Sequence, residues 1–171
     1  GKTDEYFQKF NNNNNCFSYE KKIKKSLTKY QINYSLFFYG TLRSLEVRKA
    51  VIGESSDNHN ISLGYLLKHK VFRVKNANYP LIKYTNNQVD VVKGLLINNI
   101  TYEELKKLDR FEGKNYFRQF VKVNVDQIHH DAQIYMPTKN MISDEPWDYE
   151  KWYKNDMKNF FLNEFDLNGV K

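Results

Sequence analysis

The feature of this sequence that most limits its fold is a series of short apolar or alternating segments, each closed by a turn residue. The run Leu36–Tyr39 is apolar and stops at Gly40, which is typical of a buried strand. Val89–Ile97 predicts another strand, in which Gly94 marks a bulge or a close approach of the backbone. Further segments predict strands at Leu63–Phe72, Leu81–Tyr84, Phe117–Val125 and Ile128–Met136. Segments this short favour a sheet whose strands pair mostly with their sequence neighbours.

Helix signals lie between and after these strands. Ser44–Ile52 predicts a capped helix that stops at Gly53. Thr101–Glu104 has the sequence of a capping box, and its helix ends near Arg110–Gly113. A last helix starts near Pro146, runs to about Phe165 and carries an apolar stripe. Together these elements predict an α+β protein, with a mixed, barrel-like sheet and a few helices packed against it.

Length and charge indicate one folded domain and a polar extension. The chain has 171 residues, about one domain, and a net charge of +7. Residues 1–33 hold seven Lys and three acidic residues, together with the run Asn11–Asn15. We therefore expect an Asn/Lys-rich N-terminal extension over 1–33 and a folded domain over 34–171. The cluster Lys21–Lys25 is either a patch for nucleic acid or anionic membrane or a solvated surface, and we favour the solvated surface.

The cysteine and histidine content argues against disulfide and metal chemistry. Cys16 is the only cysteine, so it forms no intrachain disulfide and no cysteine-based zinc site. The four histidines lack metal-ligand spacing, and His129 and His130 are adjacent on a predicted strand, so at most one faces inward. No apolar run approaches the ~18 residues of a membrane span. We expect a cytoplasmic protein without a metal, a membrane partner or a nucleic-acid partner, and its oligomeric state is left open.

The first segment that suits chemistry is the turn after the first strand. Tyr39–Ser44 leads from a strand through Gly40 into the start of a helix. Backbone N–H groups in such a turn point outward and suit a carboxylate or an amide carbonyl. The segment lacks the spacing and the Lys of a nucleotide-phosphate loop. By itself it is a weak signal, and an ordinary turn from a strand to a helix is the favoured interpretation.

The second segment surrounds Glu112 at the predicted end of a helix. Leu105 and Leu108 face the core, and Glu112 follows Leu108 by four residues, so it lies on the same face. Partial desolvation and the negative end of the helix dipole both raise the pKa of a carboxyl there. That suits a general base that must later return its proton. The alternative is a solvated glutamate in a helix-end turn.

These segments are part of a pattern of four marks that runs from Phe37 to Phe165. The marks are Phe37–Leu42; Asn78–Ile82 with Val92–Leu96; Leu108–Gly113 with Tyr116 and Arg118; and Ala132–Tyr135 with Trp147–Trp152. In this pattern the chain resembles the AIG2-like branch of the γ-glutamylcyclotransferase family. Plant-type members are the most similar, because Tyr116 lies four residues after Glu112. Residues 1–33 have no counterpart in the pattern.

The resemblance implies a small mixed β-barrel with flanking helices and an enzyme without a cofactor. In this family the α-amine of an L-γ-glutamyl group attacks its own γ-carbonyl, so that 5-oxoproline forms and the attached amine or amino acid leaves. Glu112 matches the glutamate that carries the proton. The residues that we expect to bind substrate are Tyr39, Gly40, Thr41, Leu42, Arg43, Ser44, Tyr79, Tyr116 and Tyr135. Each of the four tyrosines is either a wall and donor of the pocket or an aromatic that fills the barrel.

Two other questions stay open at the level of sequence. A non-catalytic small-molecule-binding or regulatory protein on the same fold is the main alternative to an enzyme. Arg118 is either the partner of a nearby acid such as Asp109 or a solvated residue on the outside of a strand. The leaving group is also open: an amino acid, a lysine ε-amine, another amine or cysteinylglycine.

Overall fold

At the centre of the protein is a closed barrel of five strands. The structure is a computed structural model in which residues 32–139, 143 and 145–169 are described. Its strands are β1 (Tyr34–Phe38), β2 (Ile61–Leu67), β3 (His69–Arg73), β4 (Pro80–Tyr84), β5 (Val91–Ile100), β6 (Tyr116–Val125), β7 (Ile128–Pro137) and β8 (Glu145–Pro146). The barrel order is β1-β5-β2-β6-β7, and a parallel contact between β7 and β1 closes it. The predicted mixed barrel is confirmed. The prediction that the strands pair mostly with their sequence neighbours is wrong, because among the described strand pairs only β3-β4 and β6-β7 are consecutive in sequence.

A second sheet has the order β4-β3-β8, and its presence shows that one predicted strand is wrong. The apolar segment Leu63–Phe72 is not one strand, because Lys68 adopts a φ of 63° and turns the chain. The Lys68 N–H donates to the Asp90 carbonyl over 2.7 Å, and the Lys68 carbonyl accepts from the Thr85 N–H over 2.7 Å. One continuous apolar run therefore supplies a barrel strand and a strand of the second sheet.

Three helices of the described residues flank the barrel: α1 (Leu45–Ile52), α2 (Tyr102–Glu112) and α3, which consists of Tyr149–Lys151, a π-helical stretch Trp152–Asp156, and Met157–Asn163. The Ser44 hydroxyl accepts from the Val47 N–H over 3.1 Å at the start of α1. Thr101 and Glu104 form the predicted capping box of α2. The last helix starts later than predicted, because Pro146 pairs with Phe72 in the second sheet.

The side chains of β1 alternate between two cores. Phe37 and Tyr39 pack inside the barrel, whereas Leu36 and Phe38 pack under the helices. At Gly94 a Cβ would clash with the Phe38 carbonyl oxygen and would lie 2.6 Å from the Phe37 ring, so the close backbone approach that the sequence predicts is present. The end of β1 is therefore fixed from both sides, which holds the turn that follows it.

The predicted extension over 1–33 falls almost wholly outside the described residues. The same is true of Cys16 and of the cluster Lys21–Lys25. The first described strand begins at Tyr34, immediately after the predicted boundary. Within the described part of the chain, no helix has the length and apolar character needed to span a membrane.

Candidate active site

A narrow cavity opens where the end of β1, the end of α2 and the strands β6 and β7 meet. Its lining consists of Phe37, Phe38, Tyr39, Gly40, Thr41, Leu42, Tyr79, Pro80, Phe111, Glu112, Tyr116 and Tyr135. The cavity has a volume of about 420 Å³ when its open mouth is counted.

Glu112 reaches this cavity because α2 ends on it. Leu108 and Phe111 are fully buried and fix the rotation of the helix, so Glu112 turns toward the barrel. Gly113 has a φ of 73°, a left-handed conformation that glycine adopts at low cost, and it ends the helix. The chain then enters β6, which brings Tyr116 back into the lining beside Glu112.

The surroundings of Glu112 favour its neutral form. Burial raises the pKa of this carboxyl, and the negative charge of Asp109 adds to the effect, so that the pKa reaches about 8. No described residue forms a hydrogen bond with the carboxyl group. The side chain is half-buried because it faces the cavity. A carboxyl with this pKa gains and loses a proton close to neutral pH.

The tyrosines around Glu112 form a wall whose hydroxyls are already engaged. The Tyr39 hydroxyl donates to the Tyr135 carbonyl over 2.6 Å. The Tyr116 hydroxyl donates to the Pro80 carbonyl over 3.1 Å, and the Tyr135 hydroxyl donates to Asp109 over 2.8 Å. Burial raises the pKa of each of these hydroxyls, so they stay protonated. The three rings therefore shape the cavity. Each hydroxyl stays protonated and donates its hydrogen bond to an acceptor within the protein.

Tyr79 completes this wall from the segment before β4. Its ring lies in the cavity lining, and burial raises the pKa of its hydroxyl. The Pro80 carbonyl next to it holds the Tyr116 hydroxyl. A Cβ on Gly40 would lie 2.8 Å from Pro80 Cγ, so this wall and the turn after β1 are in close contact.

The turn after β1 contributes to the cavity lining two residues, Thr41 and Leu42, whose amides are not engaged by the described residues. The Arg43 N–H donates to the Gly40 carbonyl over 3.0 Å. Arg48, which is buried on α1, donates from Nη1 to the Leu42 carbonyl over 2.9 Å and to the Arg43 carbonyl over 2.6 Å. The N–H groups of Thr41 and Leu42 have no acceptor among the described residues. The turn is held by its carbonyls and leaves two adjacent donors available. Sequence reasoning missed Arg48, whose only signal is its place on the inward face of α1.

Two of the predicted binding residues, Arg43 and Ser44, do not line the cavity. Ser44 is 1% exposed and its hydroxyl caps α1. The Arg43 guanidinium lies 4.0 Å from the centre of the Tyr149 ring and borders a separate groove. The helix start at Ser44 turns the chain away from the cavity after Leu42. The other predicted binding residues all lie in the cavity lining.

Arg118 has the acidic partner that the sequence suggested. Its Nε donates to Asp109 Oδ1 over 2.9 Å, and its Nη1 donates to Gln133 Oε1 over 2.9 Å. Sequence reasoning missed the bond from Arg118 to Gln133 and the bond from the Tyr135 hydroxyl to Asp109. His129 is exposed and lies outside the cavity. Among the described residues, no three potential His, Cys, Asp or Glu ligands gather into a metal site.

The comparisons with known proteins identify the family of this chain. A family model described as gamma-glutamyl cyclotransferase, AIG2-like, matches residues 36–154. The chain belongs to this family. AIG2-like protein C of Arabidopsis thaliana is 32% identical over 133 residues, which cover 74% of this chain and 73% of that protein.

Solved structures share the fold, as two examples show. A solution structure of an Arabidopsis thaliana protein matches with a TM-score of 0.59 and 22% identity, over 79% of this chain and 91% of the other. The crystal structure of YkqA from Bacillus subtilis matches with a TM-score of 0.58 and 19% identity, over 83% of this chain and 52% of the other. The barrel and its flanking helices are therefore the architecture of these proteins too.

Proposed function

We propose that this protein is a γ-glutamylcyclotransferase, which cyclises an L-γ-glutamyl group to 5-oxoproline and releases the attached amine or amino acid. The observation that carries the proposal is Glu112, a cavity carboxyl with a pKa of about 8 and no hydrogen-bond partner among the described residues. Membership of the family supports the class of reaction. A cytoplasmic location stays a prediction from the single cysteine.

The reaction needs folding of the substrate more than the gathering of partners. The α-amine and the γ-carbonyl belong to the same glutamyl group, and ring closure requires them to meet. The tyrosine wall and the turn after β1 form a narrow space that favours a bent glutamyl chain. Holding reacting groups in contact is worth up to ~7–11 kcal/mol in well-oriented intramolecular reactions.

Glu112 supplies the proton transfers. Its carboxylate takes a proton from the α-ammonium group, and the free amine attacks the γ-carbonyl carbon to form the new C–N bond. The protonated Glu112 then gives this proton to the leaving nitrogen as the old C–N bond breaks. The regenerated carboxylate takes the surplus proton from the new ring nitrogen and passes it to the released amine, which leaves as an ammonium ion. One well-placed general acid–base group contributes typically ~10²–10⁴-fold.

The amides of Thr41 and Leu42 provide the second element of the mechanism. Negative charge develops on the γ-carbonyl oxygen as the amine attacks. Two adjacent donors without another acceptor, held by Arg48 through the neighbouring carbonyls, suit that oxygen. The same donors also suit the α-carboxylate of the glutamyl group.

The test is the release of 5-oxoproline, measured by mass spectrometry. The substrates are γ-glutamyl dipeptides, γ-glutamyl amines, γ-glutamyl-ε-lysine and glutathione. Wild type is compared with Glu112→Gln and with Glu103→Gln, a matched control at an exposed glutamate of the same helix. We expect release by wild type and by the control, and a loss of ~10²–10⁴-fold in Glu112→Gln. Full activity of a folded Glu112→Gln variant would contradict the mechanism. Absence of release by folded wild type would favour a non-catalytic binding or regulatory protein.

A further inference from the structure

Asp109 lies between the active-site cavity and a second, more open cleft. It precedes Glu112 by three residues on α2, so the two side chains project from nearly the same face. The second cleft is lined by Asp109 and Arg118, among others. Tyr116 and Tyr135 line both spaces, so the two rings form the wall between them.

The Asp109 carboxylate is held by two donors on one oxygen. Its Oδ1 accepts from the Tyr135 hydroxyl over 2.8 Å and from Arg118 Nε over 2.9 Å. Arg118 is itself fixed by Gln133. One of these donors belongs to the cavity wall and the other carries a positive charge. Asp109 therefore joins the wall, a cation and the helix that carries Glu112.

The charges that face Glu112 are few among the described residues. Tyr39 on β1, Tyr79 before β4, Tyr116 on β6 and Tyr135 on β7 surround it, and burial raises the pKa of each hydroxyl, so all are neutral near pH 7. Asp109 on α2 and Arg118 on β6, paired with each other, supply opposite charges at the edge of the cavity. A negative neighbour disfavours ionisation of a carboxyl, and a positive neighbour favours it.

We propose that Asp109 is a positioning residue that sets the protonation of Glu112, and that Arg118 opposes it through the same carboxylate. Asp109 repels a second negative charge on its helix, and Arg118 weakens that repulsion by pairing with Asp109. The hydrogen bond from the Tyr135 hydroxyl to Asp109 keeps the Tyr135 ring in the cavity wall. Both the charge near Glu112 and the shape of the cavity therefore depend on Asp109. The catalytic meaning of this pair rests on the proposed function.

The experiment is an NMR titration of the Glu112 carboxyl carbon in the full chain, labelled with ¹³C-glutamate. The signal is identified by its loss in Glu112→Gln. We expect Asp109→Asn to lower the titration midpoint by about 1 pH unit and Arg118→Gln to raise it by about 0.3–0.5 unit. Arg118→Lys keeps the charge and stays closer to wild type than Arg118→Gln does. Lys107→Gln, an exposed charge on the same helix, leaves the midpoint unchanged.

Shifts in opposite directions for the two partners are the signature of the proposal, because a merely structural disturbance would move both midpoints in the same direction. Equal midpoints in all variants, or a common direction, would overturn it. If Asp109→Asn does not fold, the contrast between Arg118→Gln and Arg118→Lys decides. The titration needs no turnover. An inactive wild type would therefore contradict the proposed function but would leave the test of Asp109 and Arg118 unaffected.

Discussion

Helix α2 carries two glutamates that face inward, one at each end, and their surroundings are opposite. Glu104 lies in the first turn, where it accepts from the Thr101 N–H over 2.9 Å and from the Ser55 hydroxyl over 2.7 Å, and contacts His59 Nε2 over 2.8 Å. Burial disfavours its charge, but these hydrogen bonds and His59 outweigh burial and hold its pKa below the ordinary value. The Glu104 carboxylate therefore has a structural role, because its partners are groups of the fold itself.

Glu112, about two turns later, receives none of this support from the described residues. A helix start offers free N–H groups to a carboxylate, whereas a helix end offers carbonyls. Burial and Asp109 therefore raise the pKa of Glu112 to about 8. The comparison shows that burial alone does not distinguish a structural carboxyl from a reactive one. The presence or absence of donors decides.

The largest expected effect on stability is at Glu104. Glu104→Gln removes the charge that faces His59, whose Nδ1 is already buried without a partner among the described groups. We expect a loss of about 3 kcal/mol in the free energy of unfolding at pH 7, measured by urea denaturation. A carboxyl with a lowered pKa stabilises above its ordinary pKa and loses this contribution as the pH falls through the lowered value. The difference between wild type and variant should therefore shrink in acid.

Activity separates the two glutamates further. Folded Glu104→Gln should keep the turnover of wild type, because Glu104 lies outside the cavity lining. If Glu104→Gln lost turnover at unchanged stability, the assignment of Glu104 as the structural glutamate and Glu112 as the reactive one would be wrong.

Glu112→Gln should show the opposite pH dependence of stability. Because the folded pKa of Glu112 lies above the unfolded one, wild type loses stability as the pH rises from about 4.5 toward 8. The neutral amide avoids this cost. We expect the variant to be more stable than wild type by about 1–3 kcal/mol at pH 8.5 and equal to it near pH 4. This free-energy difference is smaller than the full pKa shift implies, because solvent in the open cavity screens the charge of Glu112. A variant that is less stable at pH 8.5 would indicate that Glu112 has a structural partner.

The smallest expected effect is at Arg43. Its guanidinium packs on Tyr149 outside the cavity, so Arg43→Gln should change kcat/KM by less than about threefold. Arg48→Gln is the matched contrast, because Arg48 holds the carbonyls of the turn, and it should lower kcat/KM more. Equal losses in steady-state assays of both variants would place Arg43 at the substrate.

Local signals in the sequence predicted what local physics determines. The Ser44 cap, the Thr101–Glu104 capping box and the end of α2 at Gly113 each depend on neighbouring residues. The sequence does not predict the break between two strands at Lys68. The apolar run continues on both sides of it, and the turn is held by hydrogen bonds to Asp90 and Thr85, which are distant in sequence.

The candidate site divides in the same way. Glu112 and the turn after β1 were found from periodicity and from the family pattern. The bond between Asp109 and Tyr135, like the role of Arg48, joins elements far apart in sequence, and a pattern in one segment does not reveal such pairs. The displacement of Arg43 from the cavity follows from the direction in which α1 leaves the turn.

The most direct test of the account is the pH dependence of kcat/KM for 5-oxoproline release, corrected for the separately measured titration of the substrate amine. This quantity reports the pKa values of the free enzyme. If Glu112 is the proton carrier, kcat/KM falls about tenfold per pH unit below about 8 and is level above it. A profile that is flat from pH 5 to pH 8 would contradict the account, because it would place the essential group at an ordinary carboxyl pKa.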